Sequence, residues 1–195
     1  MSYPLTIRFK ILAVARQIRV EDAGGQLLLY VKMKAFKLKE AVTVFADEAQ
    51  TRPLYEINAD RVIDFSATYH IKDMQGAPLG AIRQQGMRSF WRARFEILRG
   101  DQVLFTISEE NPWAKMGDAF LGELPLIGLL SGYLFHPKYL ISAAGGNPVI
   151  RITKQPAFLE GRFTFDRLGT PLSPEDERLV LLSSLMMVLV ERRRG

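Results

Sequence analysis

Ser173-Pro174-Glu175-Asp176-Glu177-Arg178-Leu179-Val180-Leu181-Leu182-Ser183-Ser184-Leu185-Met186-Met187-Val188-Leu189-Val190-Glu191-Arg192-Arg193-Arg194 lies near the C-terminal end of a sequence of 195 residues. Its start has the marks of a helix: Ser173 as N-cap, Pro174 at the first helical position, then three acids where the helix dipole favours negative charge. Arg192, Arg193 and Arg194 supply the opposite sign at the far end. Between them, Leu179-Val180-Leu181-Leu182 already cover most of the circumference at about 100° per residue, so the helix has no polar face to offer water. It must be surrounded by protein. The run from 179 to 190 spans roughly 18 Å at about 1.5 Å per residue, against about 30 Å for a bilayer core, and is too short to cross one. Ser183 and Ser184 are compatible with burial, because each hydroxyl can return to a carbonyl one turn back.

Outward from this helix the chain is written in hairpins. Alternating strands flank short turns: Asp22-Ala23-Gly24-Gly25 between 18–21 and 27–33, Asp47 to Gln50 between 42–46 and 53–57, Asp73-Met74-Gln75-Gly76 between 69–72 and 79–84. Arg99-Gly100-Asp101 joins 91–98 to 103–108, and Gly145-Gly146-Asn147 joins 139–143 to 149–154. Two-residue periodicity bounded by such turns predicts antiparallel strands. Residues 5–9 and 162–166 add two more, giving about twelve. In 91–97 the positions Trp91, Ala93, Phe95 and Ile97 share one face, and Arg92, Arg94 and Glu96 share the other; Val103, Phe105 and Ile107 repeat the dry face in the partner strand. A helix apolar on all sides, in a chain otherwise made of strands, needs a closed sheet wider than an eight-stranded barrel, whose own side chains fill it. The expected fold is therefore mainly β: one barrel domain over 1–195, a closed antiparallel barrel of about twelve strands around a central helix at 173–194.

Composition agrees and narrows the classes. With no cysteine, disulfides, thiolate metal sites and cysteine nucleophiles are excluded. Lys+Arg 26 against Asp+Glu 21 leaves +5, a mild preference for anionic partners. Arg8, Lys10 and Arg16 interrupt any N-terminal apolar run, so no cleaved secretion signal is expected and the protein is read as cytoplasmic.

Six hairpins with Asp-x-x-Gly-like turns and a final buried helix resemble the LURP-one-related proteins, grouped with tubby C-terminal domains and phospholipid scramblases. The resemblance rests on Tyr69-His70-Ile71-Lys72-Asp73-Met74-Gln75-Gly76-Ala77-Pro78-Leu79-Gly80, on the hairpin over 90–108 and on the helix over 173–194. It implies a twelve-stranded barrel around a hydrophobic helix. For activity it implies less: tubby domains bind phosphoinositides and scramblases are linked to lipid movement, whereas many LURP-one-related members have no assigned biochemistry. The chain lacks the cysteines, Pro-rich leader and acidic calcium loop of scramblases, which counts against scrambling itself. Fold does not fix function.

Chemistry-bearing motifs are few. His70 falls within a strand and His136 precedes Pro137, and two isolated histidines do not make a metal centre. Glu109-Glu110 reads as a strand exit and Glu175-Asp176-Glu177 as a helix start, not as acid/base pairs. Gly24-Gly25 and Gly145-Gly146 lie between strands, whereas a phosphate loop must open a helix. No catalytic residue, metal or cofactor is assigned, and the protein is read as non-enzymatic.

Two basic stripes remain. Lys32 and Lys34 fall two apart on one strand face, with Lys37 and Lys39 beyond; Arg88, Arg92 and Arg94 form the second. Adjacent, they would suit a lipid phosphate; separately, they are what keeps an exposed strand soluble. The long interruption at 109–135 is apolar for a connection, with Trp113, Phe120, Leu121, Ile127 and Leu130 as its contact candidates, and one or two short helices split at Pro125 are expected there. It could cap the barrel, dip into a membrane or dock a partner. The leading reading is a peripheral binder of anionic phospholipid or a membrane surface. The alternative is an interaction or structural module docking a protein partner or a second copy through 109–135. A small-ligand carrier or enzyme at a barrel mouth comes third, and nucleic acid is disfavoured because aromatics do not interleave with the basic residues.

Overall fold

In a computed structural model of the protein, which describes residues 1–10, 15–34, 41–60, 67–85, 94–110, 138–156 and 160–191, each hairpin phrase folds as a pair of strands. The first four are β1 (Leu5–Lys10), β2 (Ala15–Glu21), β3 (Leu27–Lys34) and β4 (Val42–Phe45). They are followed by β5 (Pro53–Ala59), β6 (Thr68–Asp73), β7 (Pro78–Gln84) and β8 (Arg94–Arg99). Then come β9 (Gln102–Glu109), β10 (Lys138–Ala143), β11 (Pro148–Gln155), β12 (Glu160–Arg167) and the helix α1 (Pro174–Glu191). Consecutive strands pair antiparallel, and β1 pairs with both β2 and β12, which closes a twelve-stranded barrel. Closure removes the unpaired edges that invite association.

Aspartates open three of the turns and hold them in the same way. Asp22 Oδ1 accepts the Gly24 and Gln26 N–H groups at 2.9 and 3.0 Å, and Asp73 Oδ1 those of Gln75 and Ala77 at 2.9 and 2.8 Å. Asp47 takes Thr51 N–H at 3.1 Å and Arg52 N–H at 2.9 Å, and these donors, Thr51 foremost, hold its carboxyl below the usual carboxylate range. Gly76, at a φ of +88°, completes its turn where a side chain would be strained.

Alternation sorts the faces as expected. Leu5 and Ile7, Ile18 and Val20, Phe95 and Ile97, Phe105 and Ile107, and Phe163 and Phe165 all point inward and are buried. Val103 departs from the line. A register shift between Ile97 and Leu98 pairs Leu98 with Val103, leaving Val103 half-buried and burying Leu98 instead.

The helix fills the barrel. From Leu179 to Leu189 no residue exceeds 2% exposure, polar Ser183 and Ser184 included, so it is enclosed on every side. Ser173 caps it as the sequence predicts, its Oγ accepting the Asp176 N–H at 3.1 Å. Arg192, Arg193 and Arg194 lie outside the described residues.

The two buried serines differ. Ser184 Oγ donates to the Val180 carbonyl at 2.7 Å, whereas Ser183 Oγ has no hydrogen-bond partner among the described residues. Both serines are buried as the sequence allows, but only Ser184 takes the return to the backbone open to each, and the Ser183 hydroxyl is a cost that the apolar core around it outweighs. Replacing it should therefore help: Ser183→Ala is expected to raise stability by about 1 kcal/mol. Ser184→Ala, which also removes a bond, should gain nothing. Urea midpoints of both variants test this, and a destabilised Ser183→Ala would mean that the hydroxyl has an acceptor after all.

Candidate functional site

The two ends of the barrel differ because of where the strands begin and stop. One end gathers the tight turns after β2, β4, β6, β8 and β10 together with the first turn of α1. Ion pairs pin the helix there: Arg99 Nη2 donates to Asp176 Oδ1 at 2.8 Å, and Arg167 Nη2 donates to the buried Glu177 carboxylate. The Arg167 guanidinium also lies 4.3 Å from the centroid of the Tyr3 ring. Burial first, and the Glu177 charge second, push the Tyr3 phenol up to about 12.

A cleft of about 540 Å³ opens at this end, with Leu54, Pro78 and Leu79 as apolar walls and Arg99, Arg178 and Glu175 as charged ones. Both arginines are already engaged, Arg99 by Asp176 and Arg178 by the Pro174 carbonyl at 3.0 Å. The cleft thus offers an anion no uncommitted guanidinium. Among the described residues no group of three or more His, Asp or Glu side chains is arranged to hold a metal. His70 is exposed on β6, and His136 lies outside the described residues.

At the opposite end, β1, β3, β5, β7, β9 and β11 stop, and the next strand of each pair begins. The stretches 35–41, 85–93 and 110–137 therefore each join two strand ends on this one rim. They carry Lys37 and Lys39, Arg88 and Arg92, and Trp113, Phe120, Leu121, Ile127 and Leu130, all nine of which lie outside the described residues. Of the other basic candidates, Lys32 is exposed on β3, Lys34 ends β3 and Arg94 opens β8. The two stripes are not neighbours on the wall. From β3 to β8 the sheet runs through β4, β5, β6 and β7, five steps of about 4.8 Å or roughly 24 Å along the wall. One phosphate cannot span that distance, so the wall portions of the stripes cannot share a headgroup.

Register instead assembles a cationic row that sequence spacing does not reveal. Arg8 stands directly opposite Arg19 of β2 on one side and Arg162 of β12 on the other. Lys32 continues the row from β3, opposite Gln17 and one alternation along from Arg19. These side chains point outward, since Ile7, Phe9, Ile18, Val20 and Phe163 beside them fill the interior. Arg19 Nε meets Glu21 Oε1 at 3.1 Å and its Nη1 meets Glu48 Oε1 at 2.6 Å. Arg8 shares Glu21, its buried Nε lying 3.3 Å from Glu21 Oε2. The only sequence signal was alternation, which marks each arginine as outward without saying which ones meet.

The family model described as LURP-one-related matches residues 27–167. The chain belongs to the LURP-one-related family. Among LURP-one-related elements the match runs from the first residue of β3 to the last of β12, and the barrel with its helix fits the broader tubby C-terminal-like grouping. Strands β1 and β2 and helix α1 lie beyond the matched stretch, although β1 closes the LURP-one-related barrel and α1 fills it. No curated protein and no solved structure matches the chain.

Proposed function

We propose that this LURP-one-related barrel is a non-enzymatic, peripheral binder of anionic phospholipid surfaces, acting on the cytoplasmic side through the rim whose strand ends its long connections join. The observation that carries the reading is chain polarity: the basic stretches 35–41 and 85–93 and the apolar stretch 110–137 all join strand ends on one rim, opposite the turns and the helix start. Basic residues that meet headgroup phosphates, next to apolar residues that enter the acyl boundary, are the two components of peripheral membrane attachment. The wall favours peripheral contact over insertion. Arg8, Arg19, Arg83, Glu96 and Arg151 stand on its outer face, where a membrane-spanning barrel carries its apolar band. Among the described residues no helix is long and apolar enough to cross a membrane.

The test is co-sedimentation with phosphatidylcholine vesicles, with and without phosphatidylserine, at low and high salt. Binding is expected only with the anionic lipid, and should weaken with salt and with the Lys37→Glu, Lys39→Glu pair, since each surface cation contributes about 1 kcal/mol near such a membrane. Equal behaviour on both vesicles would overturn the reading. If Phe120→Ser with Ile127→Ser then altered the oligomer distribution, the apolar stretch would belong to a protein interface.

A further inference from the structure

Pairing along the barrel wall fails at one seam, and we propose that this seam docks an acidic, extended peptide segment of a partner protein, which adds to the wall as a short extra strand. Strands β3 and β4 share a single paired position, Tyr30 with Phe45, whereas every other pair of neighbouring strands shares four to seven. Continued in register, Val31 would face Val44 and Lys32 would face Thr43, but neither is a paired position. Each side is nevertheless held from behind, residues 31–34 by β2 and residues 42–44 by β5. The two strands therefore part beyond Tyr30, towards the rim whose ends 35–41 joins, and form a notch whose sides are two sheet edges. Among the described residues the backbone N–H and C=O groups that alternate along these edges have no strand partner across the seam. Such a row of donors and acceptors is a template for another extended chain.

The faces of the notch set what the added segment must carry. Val31, Val42 and Val44 are buried on the barrel side, so the residues of the segment that alternate inward should be apolar. Outward, Lys32 is exposed, stands opposite Gln17 of β2, and makes no ion pair among the described residues. Lys34 takes the same face one alternation on. Thr43, across the notch, adds no charge. Acids at the outward positions of the segment would therefore meet these lysines as cross-strand pairs of opposite charge. Lysines on an edge turn away strands that bring no acid, so the residues that prevent indiscriminate association also select the partner. The site does not rest on the membrane function proposed above, because it needs the wall and not a bilayer.

The probe is a capped, fluorescently labelled hexapeptide alternating Glu and Val, compared with its Lys and Val counterpart and with a Glu and Val version carrying a central Pro, which cannot donate to a ladder. Anisotropy titrations should show binding of the first peptide alone, weakened by salt, and hydrogen exchange should slow at the amides of 31–34 and 42–44 when it is bound. Lys32→Glu should weaken that binding roughly fivefold. Arg83→Gln should not, because Arg83 pairs with Glu96 on the remote strands β7 and β8. Thermal melts in buffer alone establish that both variants are folded. Equal binding of the Lys and Val peptide, indifference to the central Pro, or protection away from the seam would overturn the site. Failure of the acidic peptide to bind would do the same, and slowed exchange at 31–34 on phosphatidylserine vesicles would then assign the seam to lipid and leave the membrane function standing. Peptide binding by a protein that ignores those vesicles would keep the site and remove the membrane function.

Discussion

A chain ending at Leu172 will show no cooperative thermal transition. Removing α1 empties the barrel of an apolar column from Leu179 to Leu189 in which no residue is more than 2% exposed. Deleting even one buried Leu or Met side chain from a core costs about 2 to 5 kcal/mol. A domain's whole stability is about 5 to 15 kcal/mol, so losing the column exceeds what the remaining strand pairing can withstand. The barrel's inward residues, Ile7, Ile57, Ile97, Ile141 and Ile152 among them, would then face a void that water must enter. Leu185→Asp is the milder version, placing an unpaired carboxylate at a position of 0% exposure, and should also abolish the transition at neutral pH. Circular dichroism melts decide the matter. A soluble truncated chain that melts like the intact one would show that the barrel holds itself up without its helix.

Two glycines carry the next largest effect, and they should differ in whether a second substitution can rescue them. A Cβ at Gly161 would lie 1.6 Å from Cζ of Phe9, whose ring packs at 6.0 Å from Phe163 inside the barrel. Gly161→Ala is expected to cost about 3 kcal/mol, the upper range for overpacking, and Phe9→Leu should recover part of it by withdrawing the ring. At Gly80 a Cβ would lie 2.3 Å from the Leu98 carbonyl oxygen and 2.8 Å from a methyl of Leu179 on the helix. The carbonyl belongs to the backbone of β8, and a φ of +154° adds strain for any side chain. Gly80→Ala should therefore cost at least as much, and Leu179→Ala should not rescue it. Urea midpoints for the single and double variants measure both couplings. Unchanged stability in Gly80→Ala would mean that β7 approaches the helix less closely than described.

Most of the barrel was legible because its signals are local. Asp22, Asp47 and Asp73 announce turns through their own carboxylates, which fold back onto N–H groups two to five residues ahead. Ser173 and Pro174 mark the start of α1 in the same short-range way. The step from helix to barrel needed only that eleven consecutive residues from Leu179 to Leu189 leave no face for water. The candidate site was less legible. Lys32 and Arg94 were each placed in strands by alternation, but nothing in their spacing says that five strand steps separate them.

What the sequence determined by itself was the kind of each element and the face each residue takes, because backbone dihedrals, caps and two-residue alternation act among neighbours along the chain. Tertiary structure alone decided who stands opposite whom. Arg8, Arg19 and Arg162 meet only because β1 is held between β2 and β12 in one register, and a slip of one residue would turn each of them inward. The same register sets Gly161 against Phe9, and the docking of α1 sets Gly80 against Leu179 and leaves Ser183 without an acceptor among the described residues. Those contacts follow from closing twelve strands around one helix, a condition on the whole chain that no short stretch of it contains.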